Sequence, residues 1–193
     1  MAVRPMLTAV HRESEGQRFK SSTARHFLLP SLPMTTTADD LRWMHQALQL
    51  AEEAASAGEV PVGAVAVHDG QQVGRGRNRR ETANDPFAHA EMEALAAAVR
   101  GLGRWRLTGV TLYVTLEPCS MCVGAMLLAR IDRVVWGASS PKAGALGGLF
   151  DLTREAHNHR FAQLGGVAAE ECAELLRRFF GDLRAAAEDE RGP

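Results

Sequence analysis

Residues 111–137 read TLYVTLEPCSMCVGAMLLARIDRVVWG, and this stretch decides the fold. Its first six residues are mostly β-branched or apolar, which is typical of a short buried strand. Residues 119–130 are rich in Leu, Met and Ala and predict a helix, and residues 133–137 predict a second buried strand. A strand, a helix and a strand in this order imply two parallel strands joined by a right-handed crossover.

The rest of the chain divides by the same criteria into further helices and strands. Three further helices are predicted. The first begins at Asp39 or Asp40 and is ended by Gly58, the second covers 89–100, and the third covers 170–188. Three strands are predicted, over 60–67, 71–78 and 167–169. Asp69-Gly70 between the first two of these strands favours a tight hairpin turn. The simplest arrangement is an α/β fold with one mixed sheet and helices on both of its faces.

Length and composition indicate a single globular domain. The chain has 193 residues, 46% of them apolar, which is enough for one core and too little for two ordinary domains. Residues 1–37 carry five Lys or Arg against two acids and show no sustained periodicity. We predict that residues 1–37 form a disordered N-terminal arm, that 38–188 form the domain, and that 189–193 form a disordered tail. Translation starting at Met34 is the alternative explanation of the arm.

Charge, cysteine content and hydropathy bear on location and partners. No segment approaches the roughly 20 apolar residues that a membrane helix needs, and the N-terminus lacks the pattern of a signal peptide. We therefore expect a cytoplasmic protein with no membrane association. The formal net charge of −1 does not by itself indicate a nucleic-acid partner. Three cysteines without an export signal indicate reduced thiols, and the close pair Cys119 and Cys122 indicates metal or redox chemistry.

Two short motifs carry the candidate chemistry, His89-Ala-Glu91 and Pro118-Cys119-Ser-Met-Cys122. Both lie at the N-terminal ends of predicted helices, where free N–H groups and the helix dipole lower the pKa of a thiol. His89, Cys119 and Cys122 can chelate one ion, and the chain offers no good fourth ligand. Catalytic zinc sites use three protein ligands and leave a position for water. We therefore predict a catalytic zinc site in which Glu91 moves protons and does not bind the metal.

These motifs resemble the signature of the cytidine and nucleobase zinc deaminases. Further segments are similar to the family of bacterial tRNA-specific adenosine deaminases, and the similarity covers about residues 38–185. These segments are Glu59-Val-Pro-Val-Gly-Ala-Val65, Asn78, Thr111-Leu-Tyr-Val-Thr-Leu-Glu-Pro-Cys119, Lys142-Ala-Gly-Ala145, Asn158-His-Arg160 and Arg177-Arg-Phe-Phe180.

The resemblance implies a three-layer α/β/α cytidine-deaminase-like fold with a central mixed sheet of about five strands, one Zn²⁺ per subunit, and a homodimer. It implies hydrolysis of adenosine to inosine at the wobble position of a tRNA anticodon stem-loop. Asn78 and the backbone N–H of Ala90 would hold the base, which is flipped into the zinc pocket. The flanking anticodon nucleotides would lie near four side chains, those of Glu59, Lys142, Phe179 and Phe180.

One departure from that pattern keeps other hypotheses open. Ser140 stands where the tRNA enzymes are expected to have an Asp that contacts a ribose. This change and the net charge favour the alternative of a deaminase for a free nucleobase or nucleoside, such as guanine or cytosine. Lys142, the Gly-rich loop and the arginine cluster of residues 75–80 favour RNA. A non-catalytic zinc- or RNA-binding module is a third hypothesis, opposed by the presence of Glu91.

Overall fold

The computed structural model describes residues 35–189. Within these residues there are five α-helices: α1 Ala38–Ser56, α2 Arg80–Ala83, α3 Ala90–Leu102, α4 Ser120–Ala129 and α5 Ala169–Asp189. There are also five strands: β1 Gly63–His68, β2 Gln71–Arg77, β3 Val110–Leu116, β4 Arg133–Ala138 and β5 Ala162–Leu164. No helix within 35–189 combines the length and the apolar content needed to cross a membrane. Most of the predicted N-terminal arm, and residues 190–193 of the predicted tail, lie outside the described residues.

The strands form one mixed sheet in the order β2-β1-β3-β4-β5. β1 is antiparallel to both β2 and β3, whereas β3, β4 and β5 are parallel to one another. The parallel pair β3 and β4 is joined through α4, as residues 111–137 predict, and the hairpin turns at Asp69 and Gly70. The prediction of an α/β fold with a mixed sheet of about five strands is confirmed.

Two apolar layers flank the sheet. α3 and α4 cover one face, where Leu95, Val123 and Met126 are buried against strand residues. α1 and α5 cover the other face, where Met44 and Cys172 are buried. Both faces of the central strands are therefore covered, which explains why β3 and β4 are apolar almost throughout.

Glycines in β2 allow α3 to lie very close to the sheet. A Cβ at Gly76 would lie 2.3 Å from the backbone oxygen of Ala90, and one at Gly74 would lie 2.3 Å from that of Ala94. Only a residue without a side chain permits this approach. Because Ala90 is the first residue of α3, the close contact at Gly76 also determines where His89 is held.

Three predictions about the elements need correction. The last strand is β5, and not residues 167–169, because β4 pairs with Ala162–Leu164 before the chain turns at Gly166, whose φ is +85°. Val167 is buried against the α1 face instead. Thr37, assigned to the arm, is the N-cap of α1, and Asp189, assigned to the tail, is the last residue of α5. The short helix α2 was not predicted, because its four residues have no apolar face.

A buried ion pair attaches α1 to the sheet. The guanidinium of Arg133, at the start of β4, donates to both carboxylate oxygens of Asp40 at 2.7 and 3.1 Å. The hydroxyl of Tyr113 donates to the same carboxylate at 3.0 Å. Burial raises the pKa of Asp40, but the hydrogen bonds from Arg133 and from Thr37 lower it by more, so that the pKa lies below its ordinary value. Asp40 is therefore ionised at neutral pH.

Replacing Asp40 by Asn should lower the free energy of unfolding by about 3–5 kcal/mol, because it leaves the buried charge of Arg133 without a counterion. Urea unfolding would measure this loss. Asp39→Asn is the matched control, since Asp39 is exposed and pairs with Arg42 at the surface across 3.3 Å. We expect the control to lose less than about 1 kcal/mol. Similar losses in the two variants would contradict the assignment.

The same pair should contribute to acid unfolding. Because the pKa of Asp40 is lower in the folded protein than its unfolded value of about 3.9, its stabilisation is fully present above that value. The stabilisation is lost as the pH falls through the folded pKa. The free energy of unfolding of Asp40→Asn should therefore fall less steeply than that of the wild type on acidification below about pH 4.

Candidate active site

Three potential metal ligands converge at the N-terminal ends of α3 and α4. His89 is the N-cap of α3, Cys119 is the N-cap of α4, and Cys122 lies in the first turn of α4. The Nδ1 atom of His89 lies 3.7 Å from the Sγ atom of Cys119 and 3.6 Å from that of Cys122, and the two sulfurs are 3.7 Å apart. The predicted ligand set is therefore brought together, and no other cluster of three or more such side chains is found within residues 35–189.

These separations fit a tetrahedral zinc ion. Zinc binds sulfur at about 2.3 Å and imidazole nitrogen at about 2.0–2.1 Å. Two such bonds at a tetrahedral angle place two sulfurs about 3.8 Å apart and a sulfur and a nitrogen about 3.6 Å apart. The three measured separations agree with these values. The residues present therefore fit a metal with three protein ligands.

The electrostatics of Cys119 also suit a dication. The hydrogen bond between the sulfurs of Cys119 and Cys122 lowers the pKa of Cys119 and raises that of Cys122. Burial opposes ionisation of Cys119, and a hydrogen bond with His89 favours it. Because metal ligation requires deprotonated sulfur, a site that already lowers the pKa of one thiol is suited to binding a metal.

Glu91 lies in the first turn of α3, two residues after His89, and only 4% of its surface is exposed. Burial raises the pKa of Glu91, the hydrogen bond with its own backbone N–H opposes this rise, and the negative charge of Cys119 adds to it. A carboxyl group with a raised pKa can both accept and return a proton near neutral pH. The position and the environment of Glu91 therefore suit a proton shuttle.

Asn78 and Glu59 are buried together, and the segment that carries Asn78 is hydrogen-bonded to the residue before His89. Asn78 follows β2, and the next residue, Arg79, donates its backbone N–H to the oxygen of Ala88 at 3.0 Å, directly before His89. Asn78 is 6% exposed, and its Nδ2 donates to the carboxylate of Glu59 at 3.2 Å. Glu59 itself is fully buried. The predicted contact between Glu59 and a flanking nucleotide stays a prediction, and in this structure the carboxylate is used by protein donors.

The remaining predicted residues contribute backbone atoms or have exposed or half-buried side chains. Ala90 is the first residue of α3, where helical N–H groups have no intrahelical acceptor. Lys142 is exposed in the turn after β4. Phe179 is half-buried and Phe180 is exposed on α5, with their rings edge to face at 5.4 Å. Their roles toward RNA stay predictions.

Glu117 is a buried carboxylate that sequence reasoning did not single out. It accepts hydrogen bonds from four groups of the loop after β4: the hydroxyl of Ser139 and the backbone N–H groups of Ser140, Leu146 and Gly148, at 2.8–3.1 Å. The same loop pairs with the ligand segment, since Ala145 donates to the oxygen of Pro118 at 2.9 Å. Glu117 thus fixes this loop beside Cys119. In the sequence, the one feature that could have indicated this role is that Glu117 is an acidic residue directly after an apolar strand.

Gly144 must remain a glycine because of this carboxylate. A Cβ at Gly144 would lie 2.4 Å from the Cδ atom of Glu117, whose four hydrogen bonds leave it no room to move. We expect Gly144→Ala to cost about 1–3 kcal/mol of stability and to reduce turnover, because the loop beside Cys119 must shift. Urea unfolding and kcat/KM would measure the two effects.

Gly124→Ala is the matched control for that substitution. Gly124 lies inside α4, and a Cβ there would meet nothing within 4 Å. The change should be neutral or should stabilise the protein by up to about 1 kcal/mol, because Ala favours the helix. Equal stabilities of the two variants would show that Glu117 does not lock the loop.

Comparison with known proteins supports the chemistry that this geometry suggests. A sequence model of the MafB19-like deaminases matches residues 38–184. A protein of Bacillus subtilis (strain 168) named tRNA-specific adenosine deaminase is 48% identical over 149 residues, covering 77% of this chain and 92% of that protein.

Solved structures with the same fold include two deaminases of different substrates. One, from a study of A-to-I editing by tRNA:A34 deaminases at the wobble position of transfer RNA, has a TM-score of 0.67 at 43% identity and covers 70% of this chain and 99% of that chain. The X-ray structure of guanine deaminase from Bacillus subtilis has a TM-score of 0.50 at 41% identity. The match covers 51% of this chain and 63% of that chain. The chain therefore belongs to the MafB19-like deaminase family and to the family of the bacterial tRNA-specific adenosine deaminases.

Proposed function

We propose that the protein hydrolyses adenosine to inosine at the wobble position of a tRNA anticodon, consuming one water and releasing ammonia. The observation that carries this proposal is the cluster of His89, Cys119 and Cys122 with the buried Glu91 beside it. The 48% identity to a tRNA-specific adenosine deaminase supports the choice of substrate. The wobble position is taken from the related tRNA:A34 deaminase structure.

Zinc is the metal that these ligands suit, and the His89 ring and the two cysteine sulfurs would hold one ion per subunit. When bound in a site with three protein ligands, zinc supplies Lewis-acid activation of a water molecule. The three ligands, at the ends of two rigid helices, hold the reacting centre in one place. The rigid placement favours the chemistry because reacting groups need not be reoriented at each turnover.

Glu91 moves the protons of the reaction. Its carboxylate accepts a proton from the attacking water and transfers it to N1 of the purine ring. The carboxylate then accepts the proton of the hydroxyl now on C6 and donates it to the departing amine, so that ammonia leaves and the C6 carbonyl of inosine remains. The raised pKa of Glu91 supports this role, because each transfer needs a group that gains and loses a proton near neutral pH.

Recognition of the base rests on Asn78 and on the backbone N–H of Ala90. The buried amide of Asn78 offers both an acceptor and a donor to a purine edge. The exposed Lys142 supplies a positive charge for a phosphate, and Phe179 and Phe180 supply faces on which unpaired bases can stack. Asn78 and Ala90 thereby hold the flipped base, and the other three side chains hold the nucleotides on either side of it.

The working enzyme is proposed to be a homodimer of the cytoplasm, where its tRNA substrate is found. Large apolar side chains at the surface support association, since Leu128 on α4 is 77% exposed and Leu149 and Phe150 are 57% and 44% exposed. Sedimentation equilibrium of the full chain would test the dimer. A monomer at all concentrations used for catalysis would overturn it.

The substrate is tested by incubating the purified, zinc-loaded protein with an anticodon stem-loop that carries adenosine at the wobble position. Free guanine, cytosine, adenine, adenosine and cytidine are tested separately, because the relative solved as guanine deaminase and the presence of Ser140 favour a small substrate as the second candidate. Inosine in the stem-loop alone, detected by mass, supports the proposal. Ammonia from a free base with an unchanged stem-loop would keep the deaminase chemistry and overturn the RNA substrate.

A further inference from the structure

Glu59 holds the side chain of Asn78 in one orientation. Its carboxylate is fully buried, and each oxygen has its own protein donor. One oxygen accepts from Nδ2 of Asn78 at 3.2 Å. The other accepts from the backbone N–H of Thr82 at 2.7 Å and from its hydroxyl at 2.9 Å.

A carboxylate accepts hydrogen bonds and, when ionised, donates none. Burial raises the pKa of Glu59, but the hydrogen bonds from Thr82 outweigh it and hold the pKa below its ordinary value. An amide turned the other way would place its Oδ1 against the carboxylate, which is repulsive. Glu59 therefore requires that Nδ2 of Asn78 face it, and Oδ1 of Asn78 must point away.

The segment that carries Asn78 is fixed relative to the metal ligands by backbone bonds. The N–H of Asn78 donates to the oxygen of Val62 at 2.9 Å, and the N–H of Arg79 donates to the oxygen of Ala88. Since the backbone cannot turn, the side-chain amide is the part whose orientation remains to be set. An amide that presents one acceptor and one donor reads a purine edge on which a donor lies beside an acceptor.

We propose that Glu59 is a positioning residue for base recognition, which fixes the amide of Asn78 so that its oxygen and one N–H face the substrate base. This inference rests on the proposed function, because it takes Asn78 as the side chain that contacts the base. In this role Glu59 acts through Asn78 and not by contacting the base itself. The role differs from the one that the family resemblance implies for this residue.

The test is a double-mutant cycle in the full-length, zinc-loaded enzyme, with kcat/KM measured for wild type, Glu59→Gln, Asn78→Ala and the double variant. A glutamine at position 59 can donate to Oδ1 of Asn78 and turn the amide around, so that two donors face the base. We expect Glu59→Gln to lower kcat/KM at least about tenfold, which is the size of one lost hydrogen-bond pairing. In the Asn78→Ala background the same change should have an effect of less than about twofold.

Thr82→Val is the matched control. It removes the hydroxyl that binds the other oxygen of Glu59 and leaves the contact with Asn78 in place. If Glu59 matters only for local stability, this control should lose as much activity as Glu59→Gln. We expect it to retain kcat/KM within about threefold. Zinc content and thermal midpoint are measured for each variant, so that loss of fold is recognised.

A swapped pair keeps the inference testable if Glu59→Gln does not fold. Asn78→Asp alone sets two carboxylates against each other and should be strongly impaired. Adding Glu59→Gln to it restores a donor toward position 78 and an acceptor toward the base, and it should recover at least about tenfold in kcat/KM over Asn78→Asp. No recovery, or a Glu59→Gln effect of equal size with and without Asn78, would overturn the proposal.

The cycle is run with whichever substrate the wild type turns over. If the stem-loop is unchanged and a free base is deaminated, the RNA assignment fails and the coupling between Glu59 and Asn78 can still be measured. If the stem-loop is deaminated and the coupling is missing, the proposed function stands and only the positioning role fails.

Discussion

Glu91→Gln is expected to lower kcat on the wobble stem-loop by about 10²–10⁴-fold, the range that a positioned general acid–base group contributes. Glutamine has nearly the same shape as glutamate but cannot accept or return a proton. Because glutamine keeps the shape of glutamate and Glu91 is not one of the three candidate ligands, the variant should retain the fold and the bound zinc. The expected result is a stable, metal-loaded protein that binds the stem-loop and does not form inosine.

Glu93→Gln is the matched control for this prediction. Glu93 lies two residues farther along α3 and faces Arg79 across 3.7 Å at a partly exposed position. We expect its kcat to stay within about twofold of the wild type, since exposed pairs contribute at most about 1 kcal/mol. The measurements are single-turnover inosine formation and zinc content per chain. Turnover by Glu91→Gln above one tenth of the wild-type rate would show that another group moves the protons.

Cys122→Ala should have the second large effect, the loss of the metal and with it of turnover. Cys122 is fully buried between Cys119 and His89, and the remaining two ligands cannot complete a site with three protein ligands. Mutating a residue that only hydrogen-bonds to a metal ligand typically lowers metal affinity 10–100-fold. The loss of a ligand itself should therefore lower the affinity by more. The zinc content measured after dialysis should fall from about one ion per chain to nearly none.

The matched control is Cys172→Ala. Cys172 is equally buried, but it packs on the opposite face of the sheet among the residues that α1 and α5 cover. The variant should lose about 1 kcal/mol of stability from the removed sulfur and should keep its zinc and its kcat. If Cys172→Ala lost zinc as Cys122→Ala does, or if Cys122→Ala kept its zinc, the assignment of the ligands would be wrong.

Much of the site was predictable because its chemistry is local in the chain. Cys119 and Cys122 are three residues apart at one helix start, and Glu91 follows His89 by two residues. The convergence of the two motifs followed from the strand-helix-strand order of residues 111–137, which places the start of α4 at the carboxyl end of β3. The structure confirms the mixed sheet and brings the three candidate ligand side chains together.

The last strand shows where periodicity was not sufficient. Residues 167–169 were predicted to be a strand because they are apolar. Apolar character indicates that a segment is buried, but it does not indicate that the segment pairs with another strand. Val167 is indeed buried, against the α1 face. The segment that pairs with β4 is Ala162–Leu164, whose residues are only half-buried at the sheet edge. An edge strand of three residues leaves little pattern to recognise.

By itself, the sequence determined the class of the fold and indicated the candidate metal ligands and the candidate proton shuttle, because each depends on periodicity or on spacings within a few residues. Only the tertiary structure decided what the buried carboxylates Glu59 and Glu117 do. Their donors are 19 to 31 residues away along the chain, in Asn78, Thr82 and the loop of residues 139–148. A buried charge must find hydrogen-bond donors wherever the folded backbone provides them, and no local pattern of residues records where that will be.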